Sequence, residues 1–127
     1  MIKGIGVDIV DISRIRALCD EHGERFLERV FTPGEIGFCR QFPHPVRHFS
    51  GRFAAKESVM KVLKTGWTGG ISWQDIEIGS GPKSVPVVKL KGAARELADS
   101  AGIRHIHVSI SHGEQSAVAY AIGESGE

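Results

Sequence analysis

A single long helical pattern governs how this chain can fold. Between about residues 46 and 65, Val46, Phe49, Phe53, Met60 and Leu63 fall close to one stripe. Pro43 and Pro45 break the chain before it, and Gly66, Gly69 and Gly70 end it. The other elements are shorter. Residues 2–12 are rich in β-branched side chains and read as a strand ending near Ser13, which can cap a following helix. Ile15, Leu18, Phe26, Leu27 and Val30, interrupted by Gly23, predict two short helices. Thr32-Pro33-Gly34-Glu35 supplies a capping threonine, a proline at the first helical position and a glutamate three residues after the cap, so a helix should run from there to about Gln41. Residues 71–78 and 85–90 read as strands around a turn at 79–84, followed by a helix over about 92–100. The tail alternates as a hairpin, 103–111 against 116–122, with 112–115 turning between them. The order predicts one α+β domain over residues 1–127, with a mostly antiparallel sheet packed on the long helix.

The 127 residues suffice for one core and not for two catalytic domains. With 41% hydrophobic and 24% charged residues, disorder, collagen-like repeats and a disulfide scaffold are disfavoured. Sixteen Lys and Arg stand against fifteen Asp and Glu, a net of +1, so no global field draws the chain to nucleic acid or to an anionic membrane. Any polyanion site must be local. Cys19 and Cys39 form no CxxC and read as buried thiols in a reducing cytosol. No apolar stretch reaches the ~18 residues of a membrane span, and Asp8 interrupts the first apolar run, so a cytoplasmic protein is expected.

Residues 40–64 hold Arg40, Arg47, Arg52, Lys56, Lys61 and Lys64 against Glu57 alone, a net of +5 that suits either an anion site or a solvated helix face. At 100° per residue, Glu57 and Lys61 lie beside the Phe53/Val46 end of the apolar stripe and should be partly buried. Their i, i+4 spacing equally suits a helix salt bridge of ~0.3–0.5 kcal/mol. Asp8, in the middle of an apolar strand, is costly unless it is paired, hydrogen-bonded, metal-bound or turned to water at the strand's end. Mg²⁺ takes one or two carboxylates and fills its remaining positions with water and phosphate oxygens, a demand that Asp8 and Glu57 beside a basic segment would meet. His105 and His107 alternate onto one strand face, with His112 beyond; without cysteine ligands, hydrogen bonding is favoured over zinc. Gly4-Ile5-Gly6 is too short for a dinucleotide fingerprint, and no Walker A sequence is present. The glycines at 66, 69 and 70 either approach a phosphate or merely end the helix.

Together, Ile5-Gly6-Val7-Asp8 followed by Arg14-Ile15, then Phe31-Thr32-Pro33-Gly34-Glu35, then Gly51-Arg52-Phe53-Ala54-Ala55-Lys56-Glu57-Ser58 with Lys61, and His107-Val108-Ser109-Ile110-Ser111-His112 resemble the holo-acyl-carrier-protein synthase family, single-module 4′-phosphopantetheinyl transferases. The resemblance spans nearly the whole chain in order. It implies the transferase fold and transfer of the phosphopantetheine arm of coenzyme A to a serine of an apo acyl carrier protein, releasing adenosine 3′,5′-bisphosphate. It further implies that Asp8 and Glu57 hold Mg²⁺ on the pyrophosphate and that Glu57, or a metal-bound water, takes the serine proton. Lys61 would neutralise phosphate charge and protonate the leaving group. Arg52 would help hold coenzyme A, with Pro86 near the adenine. His107, Ser109, Ser111 and His112 would come from a neighbouring subunit of a homotrimer to hold the nucleotide end, with Arg47 and His48 as candidates for the 3′-phosphate. Arg14 would meet acidic residues of the carrier. Ser58 stands where the family commonly has alanine, and Gly81-Pro82-Lys83-Ser84-Val85-Pro86 departs from the family's short Gly-Lys-Pro turn. Two other readings use the same residues: a metal-dependent phosphoesterase, which would need a water nucleophile and more acids, and a module that binds nucleotides or acidic proteins without turnover.

Overall fold

A computed structural model describes residues 1–64 and 70–126. Strand β1 (Ile2–Asp11) leads into helices α1 (Ile12–His22), α2 (Glu24–Val30) and α3 (Pro33–Cys39), and then into the long helix α4 (Pro45–Leu63). Strands β2 (Ile76–Ser80) and β3 (Pro86–Leu90), helix α5 (Gly92–Ser100) and strands β4 (His105–His112) and β5 (Ser116–Glu124) complete the chain. Sheet order is β1-β5-β4 in one sheet and β2-β3 in another, and all these pairings are antiparallel. The expected α+β architecture holds, with two sheets rather than one.

The three-stranded sheet can carry α4 closely because its inner face is paved with small residues. Gly4 and Gly6 on β1 and Ala117, Ala119, Ala121 and Gly123 on β5 face inward. A Cβ built on Gly6 would stand 2.1 Å from the Ser58 carbonyl oxygen, and one on Gly4 would stand 2.9 Å from that of Val62. These contacts leave no room for a side chain, so helix backbone lies directly on strand backbone. Beyond α4 the core is aromatic: the Phe31 ring lies 5.0 Å from Phe49 and 6.1 Å from Phe26. The outer face is the opposite, with Ile5, Val7, Ile9, Tyr120 and Ile122 all exposed.

Several boundaries differ from the sequence reading for local reasons. Helix α1 begins at Ile12 directly after Asp11, so Ser13 sits in its first turn and is not the cap. Pro45 opens α4 at a position where its missing N–H costs nothing, while α3 stops at Cys39 rather than Gln41. The first strand expected at 71–78 is shortened because Ser72 and Asp75 form a capping box that turns Trp73–Asp75 into a 3-10 helix. The long helix ends at Leu63 with Lys64 left-handed, and the glycine loop at 66 and 69 lies outside the described residues. Cys39 is fully buried, with burial pushing its thiol up to about 12, whereas Cys19 is half-buried rather than buried.

Candidate active site

Inward alternation on β1 turns Asp8 toward α4, with its side chain 20% exposed. Across the seam, Lys61 donates from Nζ to the Val7 carbonyl at 2.7 Å and stands 3.4 Å from Asp8 Oδ1. Asp8 therefore finds a partner, but a loose one. Lys61 is 54% exposed instead of partly buried, because its stem reaches over the strand to the Val7 carbonyl. An ion pair of that exposure contributes at most ~1 kcal/mol. Glu57 lies one turn before Lys61 on the same helix face and is half-buried, as expected. One turn earlier again, the Phe53 ring carries the Arg14 guanidinium 5.4 Å from its centroid. Thus Asp8, Lys61, Glu57 and Arg14 share one seam.

Among the described residues there is no group of three or more metal-ligating side chains. Two carboxylates on facing elements nevertheless fit a hard cation such as Mg²⁺, which leaves most of its coordination to water and substrate oxygens. The +5 segment disperses on folding. Arg40 pairs with Glu24, and Lys56 is fully buried against Glu35. Arg52 is 7% exposed with its Cζ 4.1 Å over the Phe38 ring, leaving Nε buried without a hydrogen bond. Arg40 lies at the end of α3, and Arg52 and Lys56, one turn apart on α4, are both buried, so net charge along the sequence overstates the anion field.

His107, Ser109 and Ser111 lie on the outer face of β4, opposite to Asp8 on the same sheet. His107 Nε2 is 2.7 Å from Glu124 Oε1, and this bond holds the Glu124 carboxyl below its usual range. Pro86 and His107 line one recess of about 320 Å³ between β3 and β4, beside a turn in which Lys83 and Ser84 have φ of 58° and 60°. His112 is parted from the other three. Its ring meets His48 at 4.9 Å on the α4 side, where His48 also stacks on Phe42 at 3.8 Å. Burial, then His112, Arg52 and Arg47, lower the His48 pKa.

Two features escaped the sequence reading. One is the Lys56–Glu35 pair; Glu35 was visible as a capping residue, but its burial was not. The other is a recess of about 470 Å³ between α1 and α2, lined by Leu18, His22, Arg25, Phe26 and Arg29. Arg25 and Arg29 stand next to Glu24 and Glu28 in the sequence, so the local net charge is zero and a basic lining emerges only where the helices pack.

Residues 4–121 match the model of the 4′-phosphopantetheinyl transferase superfamily. The chain belongs to that family. It is 44% identical over 126 residues to the holo-[acyl-carrier-protein] synthase of Halothermothrix orenii, covering 99% of this chain and all of the relative. The fold matches the crystal structure of the Neisseria meningitidis holo-[acyl-carrier-protein] synthase with a TM-score of 0.89 at 35% identity, covering 98% of this chain and 99% of that one. A second match is the Helicobacter pylori synthase in complex with coenzyme A, with a TM-score of 0.83 at 34% identity over 94% of this chain and 99% of that one. This phosphopantetheinyl transferase fold is the one that the resemblance implied.

Proposed function

We infer that this chain transfers the 4′-phosphopantetheine arm of coenzyme A to a serine of an apo acyl carrier protein. The observation that carries the site assignment is the convergence of Asp8, Glu57 and Lys61 at the α4–β1 seam, with Arg14 beside them. Asp8 and Glu57 would hold Mg²⁺, which would supply positive charge to neutralise the pyrophosphate of coenzyme A. The carrier serine attacks the β-phosphorus, a new P–O bond forms, and the bond to the bridging oxygen of the pyrophosphate breaks. Glu57 accepts the serine proton. Lys61, with an exposed ammonium, neutralises the departing adenosine 3′,5′-bisphosphate and can return a proton to it. Arg14 and the basic recess between α1 and α2 dock the acidic carrier next to this seam.

Within one chain His107, Ser109 and Ser111 point away from Asp8, so residues on both faces can serve one ligand only if a second copy supplies one set. A homotrimer with sites between subunits satisfies this and covers the exposed outer row of Ile5, Val7, Ile9, Tyr120 and Ile122. The recess at Pro86 and His107 takes the nucleotide end, and His112, with His48 and Arg47, lies on the side suited to a phosphate. Arg52 acts there by fixing the Phe38 wall rather than by direct exposure. The free cysteines suit the reducing cytoplasm, where holo carrier would serve fatty-acid synthesis.

Incubation with coenzyme A, Mg²⁺ and apo carrier tests the reading by mass spectrometry. A carrier heavier by one phosphopantetheine, dependent on the cation, is expected. Cleavage of coenzyme A without carrier would indicate a phosphoesterase, and binding without turnover would indicate a binding module.

A further inference from the structure

Lys56 and Glu35 form an ion pair with both side chains fully buried, one residue away from Glu57. Lys56 donates from Nζ to Glu35 Oε1 at 2.7 Å and to the Val30 carbonyl at 2.7 Å, and it lies 5.6 Å from the Phe31 ring centroid. Glu35 Oε1 also accepts from the Thr32 N–H at 2.8 Å, while Oε2 accepts from the Ile78 N–H at 2.7 Å. One pair thus joins the end of α2, the start of α3, the middle of α4 and strand β2. As a source of stability this is an inefficient choice, because well-packed apolar residues of similar volume hold helices as firmly as a buried ion pair does. What the pair adds is direction.

Directional contacts matter here because the opposite side of α4 rests on glycine and alanine. Gly4, Gly6, Ala119 and Ala121 permit a close approach but offer few side-chain ridges to fix the rotation or axial height of a helix. We propose that the Lys56–Glu35 pair is a positioning device that sets the rotation and height of α4 so that Glu57 presents its carboxylate to the one on Asp8. The proposal rests on the metal-site reading above. Lys56 and Glu57 are successive residues, so their directions from the helix axis differ by about 100° and any rotation that loosens one swings the other.

The test is the double variant Lys56→Met/Glu35→Gln, which removes both charges at similar volume and so leaves the fold intact. Its Tm is measured beside Mn²⁺ binding in the presence of coenzyme A, followed by the electron paramagnetic resonance of free Mn²⁺, and beside the Mg²⁺ concentration that half-saturates transfer. We expect a Tm near that of the unmodified chain, Mn²⁺ binding weaker by about tenfold or more, a matching rise in half-saturating Mg²⁺, and an unchanged KM for the carrier. Lys56→Arg, which keeps the charge and can reach Glu35, should recover most of the loss. A folded double variant with unaltered Mn²⁺ binding and half-saturation would overturn the positioning role and leave the pair as a stabilising contact. Should the double variant not fold, Glu35→Asp decides by the same comparison, since it keeps a negative charge beside the buried Lys56 while shortening the reach that fixes the helix. Failure of the unmodified chain to bind Mn²⁺ with coenzyme A would overturn the metal reading and this proposal with it, and that measurement needs no variant.

Discussion

Asp8 illustrates how much one residue can disclose through its neighbours in the chain. A carboxylate among β-branched neighbours demands a partner, and Lys61 stands 3.4 Å away across the seam. That contact is loose and partly exposed, which is compatible with the proposed role of the carboxylate as a cation ligand. Asp8→Ala and Glu57→Ala should each lower transfer by at least ~10²–10⁴-fold with an unchanged circular dichroism spectrum. Full activity in either folded variant would remove it from the site. Lys56 carries a signal that net charge hides: three residues after Phe53 and four before Met60, it falls inside the apolar stripe, whereas Lys61 lies beside it. Only Glu35, twenty-one residues earlier, makes its burial tolerable. Glycines divide in a similar way. Gly6→Ala must push α4 away from β1 and should cost ~3 kcal/mol, read as a fall in the urea midpoint. Gly37→Ala, with nothing within 4 Å of the new methyl in α3, should instead gain ~0.5–1 kcal/mol.

Elements were legible where the signal is local and obscure where it is tertiary. The Thr32–Glu35 capping box, the Gly23 break and the tail hairpin follow from side chains within a few residues of one another, and all three are present. The 3-10 turn at Trp73–Asp75 was hidden because an alternating apolar pattern outweighed a capping box at Ser72. Ring stacking between the α3–α4 connection and α4 was also beyond a periodicity argument. Because burial and the neighbouring His112, Arg52 and Arg47 lower the His48 pKa in the folded chain, folding disfavours the imidazolium. The sign follows directly: the contribution of this group is fully present above its unfolded value near 6.5 and is lost as pH falls through the lower folded value. Unfolding midpoints measured from pH 7.5 down to 5 should fall, and His48→Gln should flatten that dependence. An equal slope in the variant would assign the acid sensitivity elsewhere.

For the whole molecule, alternation on β1 and β4 predicts which residues share a face, but it cannot say what the outer face meets. The proposed shared site can be tested by complementation. Glu57→Ala and His107→Ala chains co-refolded in equal amounts should give an interface with both intact residues in about a quarter of cases, because each is present with probability of about one half. The mixture should regain about that fraction of the unmodified activity, provided that His107→Ala alone is severe. Activity at the average of the two separate variants would place each site within one chain. The exposed row of Ile5, Val7, Ile9, Tyr120 and Ile122 also carries a consequence for cellular abundance. If copies of the chain cover this row for one another, mass action makes catalytic output a steep function of expression level, and specific activity should decline on dilution below the assembly constant instead of staying constant.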